Sequence, residues 1–248
     1  MPKGSGTGGG GGGGRSGGGG GGAGGGAVEK VPPAVRNPGY HSDSEDPVLN
    51  PGGVLTGPGK NVEHLPGADI QPITAYSGGH IMGGERFKGL NAEKLNRSIY
   101  DPKGFKQTLE LSGESDAVIA DYVKRAGAFK NELNASLDKV RNYEGQVYRT
   151  INDRSATLAD AYVPGKPVVL KEFVSTSRSS TPSYRPFEGA DEGQTRFVIK
   201  SKTGKWIEKV SNFSEENEVL FRSGTRFMVK SKKYNRTRGT WDIFMDEM

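Results

Sequence analysis

Residues 1–27 hold 18 of the chain's 39 glycines and almost no large apolar side chain. Ordering such a segment costs backbone entropy that no buried surface offsets, so a flexible, disordered leader is expected there. The foldable part of the chain therefore starts later. Residues 28–90 stay rich in Pro, Gly and Asn, as in Val31-Pro32-Pro33 and Asn50-Pro51-Gly52-Gly53, and their apolar residues follow no period. They read as a linker or loosely structured arm, with delivery or recognition as the alternative role.

Regular patterning begins near Asn91. Asn91 is placed to cap a helix carrying Leu95 and Ile99. Val118, Ile119, Tyr122, Val123 and Ala126 share one face of a second helix that ends near Gly127, and Leu133, Leu137 and Val140 mark a third. From Gly145 the texture changes to short β-prone runs: Gln146–Ile151, Val168–Ser175, Thr195–Ser201, Glu218–Phe221, Arg226–Lys230 and Thr240–Phe244. Helices followed by strands predict an α+β fold over residues 91–248, enough chain for one compact domain.

Composition removes several functions. With no cysteine there is no disulfide framework, thiolate metal site or cysteine nucleophile. His41, His64 and His80 are widely spaced in Gly/Pro-rich sequence, which argues against a histidine metal site or triad, so no metal is expected. No run approaches the ~18 apolar residues of a membrane span, and the N-terminus lacks the apolar core of a secretory signal. Export is therefore expected through a specialised machine or as another protein's passenger. The net charge of +5 is uneven: residues 1–90 balance seven basic against seven acidic groups, and Arg222–Arg238 holds seven Lys/Arg and no acid. That stretch reads as a charge-protected edge strand, or as attraction to an acidic protein or nucleic acid.

Three polar features interrupt the β-prone half. Arg149 lies in Val147-Tyr148-Arg149-Thr150, Ser175-Thr176-Ser177 finishes the apolar Phe173-Val174 run, and Glu216-Asn217-Glu218 precedes Val219-Leu220-Phe221. Each alone is an ordinary strand arginine, strand end or acidic turn. In this order they resemble the R-S-E class of mono-ADP-ribosyltransferases, which includes actin-modifying bacterial toxins and vertebrate arginine-specific ectoenzymes. The flanks agree: Phe197–Ser201 with Gly204, then Glu216–Leu220, then Gly224-Thr225-Arg226-Phe227-Met228-Val229. The resemblance covers about residues 91–248 and implies that family's fold, N-terminal helices followed by a two-sheet β core.

The resemblance also implies NAD as co-substrate and a role for each motif. Cleaving the nicotinamide–ribose bond builds oxocarbenium-like charge on the ribose, which a carboxylate stabilises. Glu218 matches that carboxylate. Arg149 matches the phosphate-binding arginine, whose planar fork suits a diphosphate. Ser175 matches the serine that orients the catalytic Glu, and Thr176 and Ser177 shape the pocket floor. Glu216 matches the position that decides the acceptor: a Glu there goes with arginine, since a carboxylate can orient a guanidinium and take its proton. Tyr184 and Phe187, in the polar loop after Ser177, are alternative packing partners for nicotinamide. Thr150 stands where many relatives have Gly, which alters the backbone contacts expected there.

A Rossmann oxidoreductase would need Gly-x-Gly-x-x-Gly between a strand and a helix, and the tract at residues 8–26 has no strand before it. The expectation is a secreted or delivered toxin or effector that modifies a target-cell protein on arginine in the family's manner. The alternatives are an NAD glycohydrolase, a nucleic-acid-directed transferase and an inactive binding module of the same fold. Partners implied are the target protein, delivery machinery and, for a toxin acting on shared machinery, an immunity protein in the producer.

Overall fold

The computed structural model describes residues 28–31, 51–78, 85–152, 157–180, 194–236 and 239–248. Four α-helices and nine strands are present among them: β1 (Glu29–Val31), β2 (Gly53–Thr56), α1 (Gly67–Ser77), α2 (Ala92–Tyr100), α3 (Pro102–Leu111), α4 (Asp116–Asp138), β3 (Asn142–Asn152), β4 (Pro167–Leu170), β5 (Val174–Ser177), β6 (Gln194–Trp206), β7 (Glu218–Phe221), β8 (Thr225–Asn235) and β9 (Thr240–Glu247). This is the expected α+β layout. The leader at residues 1–27 lies outside the described residues.

The helices follow their caps. Asn91 accepts a hydrogen bond from Lys94 N at 2.8 Å and starts α2, as its sequence position predicts. Asp101 caps α3 by accepting from Gly104 N at 2.9 Å, with Pro102 in the first turn. That helix was not expected. It packs Phe105 and Leu109 on Ile119. The two helices expected on either side of Gly127 are one, α4. Ala126, Phe129, Leu133 and Leu137 form a continuous buried stripe across the glycine, and burying such side chains at about 2 kcal/mol each outweighs the ~1 kcal/mol that a helical glycine costs. Val118 and Val123, assigned to the apolar face, are more than a third exposed.

Within residues 28–90, the described residues 28–31, 51–78 and 85–90 are more regular than expected. They were read as a linker or loosely structured arm, yet β1 pairs with β2 and β2 with β3. Val31 and Leu55 sit in the core among the strands, and Val62, Leu65, Ile73, Tyr76 and Phe87 in the core among the helices. Each element here is short, and Pro72 stands inside α1, so no apolar period builds up for the eye to find.

Hydrogen bonding runs in the order β1-β2-β3-β5-β7-β6-β9-β8-β4, and β3 also pairs directly with β6. The expected two-sheet core is thus one system that closes on itself around β3, β5, β7 and β6. The run Val168–Ser175, expected as one strand, breaks at the charged pair Lys171-Glu172: β4 pairs with β8 and β5 with β7. Past Ser201, where the β-prone run was expected to end, β6 continues through Gly204 to Trp206. A Cβ at Gly204 would stand 2.6 Å from Ser201 Oγ and 2.8 Å from Val219 Cγ1, so only glycine lets β6 approach β7 there. In the basic stretch, β4 covers β8 only over Thr225–Met228, leaving Ser231–Asn235 paired with β9 alone. Lys230 and Lys232 there lie near Asp246 and Asp160.

Two apolar cores meet at β5 and β7. Phe173 and Leu220 belong to the helical core, while Val174, Val219 and Phe221 belong to the core of the strands. Side chains alternate along a strand. Ser175 and Glu218 therefore point to the same side as Phe173 and Leu220, toward the helices.

Candidate active site

Glu218 opens β7 behind a single turn of 3-10 helix, Ser214–Glu216. Between them Asn217 adopts φ 51° and ψ 47°, the left-handed conformation that asparagine tolerates better than most residues. Its side chain donates to Glu215 O at 3.0 Å and its carbonyl accepts from Arg178 N at 2.9 Å. This reversal separates the two carboxylates. Glu218 is only 3% exposed, whereas Glu216 stays half-buried.

Both oxygens of Glu218 are held. Ser175 Oγ donates to Oε1, and Ser211 Oγ donates to Oε2 at 3.1 Å. Burial pushes the carboxyl above its ordinary range, and the two hydroxyls, which stabilise the charged form, pull part of the way back. Arg149 Nη1 donates to Ser175 O at 3.0 Å. The structure thus joins Arg149, Ser175 and Glu218, far apart in sequence, into one hydrogen-bonded series. The Glu216 carboxyl is raised to about 7 by burial first, then by the nearby charges of Glu218 and Glu215.

The other expected site residues divide. Ser177 pairs with Glu218 in register, and its Oγ accepts from Ser179 N at 2.9 Å. Thr176 is buried, with its hydroxyl donating to Val219 O at 2.6 Å, so it ties β5 to β7 and does not line a pocket floor. Thr150 pairs with Arg196, and alternation turns its side chain to the face of β3 opposite Arg149; only its backbone remains for a ligand on the Arg149 side. Tyr184 and Phe187 lie outside the described residues.

Three residues of the site lie outside every motif of the sequence. Ser211 is one. Asn96 on α2 is another: its Oδ1 accepts from Phe173 N at 3.0 Å, and its Nδ2 donates to Phe173 O at 3.1 Å and to Tyr76 Oη at 3.0 Å. This amide acts as a strand partner for the residue entering β5. Tyr76 itself is buried close enough to Glu218 and Arg149 to feel both charges, and burial raises its phenol well above the usual range. Asn91, a helix cap, and Asn96, a clamp, look alike in sequence; only the packing of α2 against β5 separates them. An open concavity of about 900 Å³ lies elsewhere, on the outer face of β3, β6 and β9 beside Gln146, Val198, Lys200 and Phe244, and contains none of these groups.

The family model for NAD:arginine ADP-ribosyltransferase matches residues 104–248, more than half of the chain. The Mycobacterium avium (strain 104) protein Mav, whose name carries a provisional assignment as an NAD(+)–arginine ADP-ribosyltransferase, is 36% identical over 115 residues, which is 46% of this chain. The chain spans only 14% of Mav's own length. Among solved structures, the ADP-ribosyltransferase Vis, crystallised with agmatine, is 17% identical with a TM-score of 0.52, over 76% of this chain and 77% of that one. The Clostridium limosum C3 exoenzyme is 14% identical with a TM-score of 0.52, over 76% of this chain and 95% of its own. The Xanthomonas axonopodis pv. citri type III effector XopAI is 16% identical with a TM-score of 0.51, over 75% of this chain and 69% of that one. At such identities these structures speak for the fold, an ADP-ribosyltransferase fold. Matched over more than half its length by that family's model, the chain belongs to the NAD:arginine ADP-ribosyltransferase family.

Proposed function

We propose that this chain is a mono-ADP-ribosyltransferase that moves ADP-ribose from NAD to an arginine of a target-cell protein, acting as a delivered toxin or effector. The observation that carries the reading is the pair of unequal carboxylates around Asn217. Glu218 is buried and clamped by two hydroxyls, and Glu216 is half-buried with a pKa of about 7. Acid–base assignments follow from environments that push two carboxyls apart.

The residues fit NAD as substrate. Arg149 spends one N–H on Ser175 O, and a guanidinium carries five, enough to meet a diphosphate as well. Glu218, ionised, faces the positive charge that develops on the ribose as nicotinamide leaves, and its fixed position removes reorganisation at that moment. Each oxygen that accepts from a serine keeps a further lone pair for a ribose hydroxyl. Glu216 then orients the incoming guanidinium and accepts its proton as the new bond forms. With its pKa near 7 it is a working base close to neutral pH and loses that role when protonated at lower pH. No described helix is long and apolar enough to cross a membrane, and delivery without a classical signal peptide belongs to the same proposal.

Incubating the protein with NAD labelled in the ADP-ribose portion and a target-cell lysate tests the reading. Label should enter a protein band, resist RNase and vanish with Glu218→Ala. Undiminished transfer by Glu218→Ala would sink the assignment. Nicotinamide release without label in any macromolecule would make the protein an NAD glycohydrolase, and RNase-sensitive label would make nucleic acid the acceptor.

A further inference from the structure

Ser211 lies seven residues before Glu218, outside the three motifs, yet its hydroxyl reaches the second carboxylate oxygen at 3.1 Å. The contact is built in, because the donor and the acceptor are anchored to the same residue, Ile207. Ser211 N donates to Ile207 O at 3.0 Å, and Ile207 N donates to the carbonyl of Glu218 at 3.1 Å. Ile207 is fully buried in the helical core. The serine is thus tied through one core residue to the strand that carries the carboxylate. Next to it, Asn212 Nδ2 donates to Thr74 O at 3.2 Å and holds this turn to the end of α1. Ser211 Oγ also accepts from Phe213 N at 3.2 Å, at the entry to the turn bearing Glu216.

From this geometry we infer that Ser211 is a positioning residue for Glu218, the counterpart on Oε2 of Ser175 on Oε1, and that it couples the turn bearing Glu216 to the carboxylate that cleaves NAD. This rests on the role proposed above for Glu218. The physical case is one of rotation. A carboxylate held through one oxygen can still swing about its last torsion, which is broad and soft; held through both, it is fixed in plane. A hydroxyl donor also favours the charged form, the form needed beside a developing cation. In a site this buried, the loss of one donor leaves the carboxylate easier to protonate.

Ser211→Ala and Ser211→Thr, measured beside the wild type and Glu218→Gln, test the inference. Wild-type NAD cleavage that Glu218→Gln abolishes establishes the underlying reading first. Ser211→Ala should then lower kcat for NAD cleavage about ten- to hundredfold, the effect of losing one hydrogen bond to a charged group. KM should stay within about threefold, since the contact matters most once charge develops. The acidic limb of the pH–rate profile should move to higher pH. Ser211→Thr, which keeps the hydroxyl, should recover most of both. A carbon NMR titration of labelled glutamate carboxyls, with the Glu218 signal identified by its loss in Glu218→Gln, reads the same pKa rise without any turnover. It separates failure of this inference from failure of the catalytic reading. A Glu218 titration unmoved in Ser211→Ala, or a Ser211→Thr variant as impaired as Ser211→Ala, overturns the proposal. A merely structural role would lower the melting temperature and leave the titration in place.

Discussion

Glu216 should make the protein less stable as pH rises, and Glu216→Gln should remove that dependence. Its carboxyl moves from the ordinary 4.5 in the unfolded chain to about 7 in the folded one. Between those values the unfolded state has already lost the proton that the folded state keeps. Stability therefore falls as pH rises through this window, and the penalty is complete above about pH 7. At about 1.4 kcal/mol per pH unit the interval corresponds to roughly 3 kcal/mol. Solvent reaches the half-buried side chain and screens part of this, so about 1–2 kcal/mol is expected. Urea unfolding of both proteins at about pH 4 and about pH 8 reads it directly. The two should be nearly equal in acid, and at about pH 8 the glutamine variant should be more stable by that amount, about 3–6 °C in Tm for a domain of this size. A stability gap that is the same at both pH values would refute the reasoning, since a pH-independent offset comes from packing and not from ionisation. The same variant should lose transfer to agmatine, used as a small guanidinium acceptor, while still releasing nicotinamide. A carboxylate kept where it costs stability, and lost together with one reaction, is the signature of a functional group.

Two further outcomes follow from the geometry. Gly127 lies inside α4 with nothing within 4 Å of a Cβ built on it, so Gly127→Ala should stabilise the protein by about 0.5–1 kcal/mol, checked by thermal melting; a loss of stability would mean that α4 is interrupted there. Arg149→Lys keeps the charge but loses the planar fork, so NAD affinity in a Glu218→Gln background should fall about tenfold by calorimetry, and unchanged affinity would remove Arg149 from the diphosphate site.

Local chemistry is what could be read without coordinates. Asn91 before an apolar period marks the start of α2 because the cap is a contact between residues three apart. Glu218–Phe221 is recognisable as a strand because its boundaries are set by its neighbours in sequence. The fusion of two expected helices into α4 was not legible, since Gly127 is a local stop signal that distant partners override. The same holds for residues 51–78, whose burial depends on α4 and on β3, many residues away.

The site divides along the same line. By sequence alone the order of Arg149, Ser175 and Glu218 carries the family resemblance, and these are residue types that suit the diphosphate binding and oxocarbenium stabilisation proposed above. Tertiary structure decided how those groups are held. It set Thr176 to tying strands and turned Thr150 away from Arg149. It also used the left-handed Asn217 to bury one carboxylate and leave its neighbour half-exposed, and supplied Ser211 and Asn96 from segments with no motif. The physical reason is distance along the chain. Residue type is written locally, whereas burial, hydrogen-bond partners and hence pKa are summed over every element that packs against a group, and only the fold performs that sum.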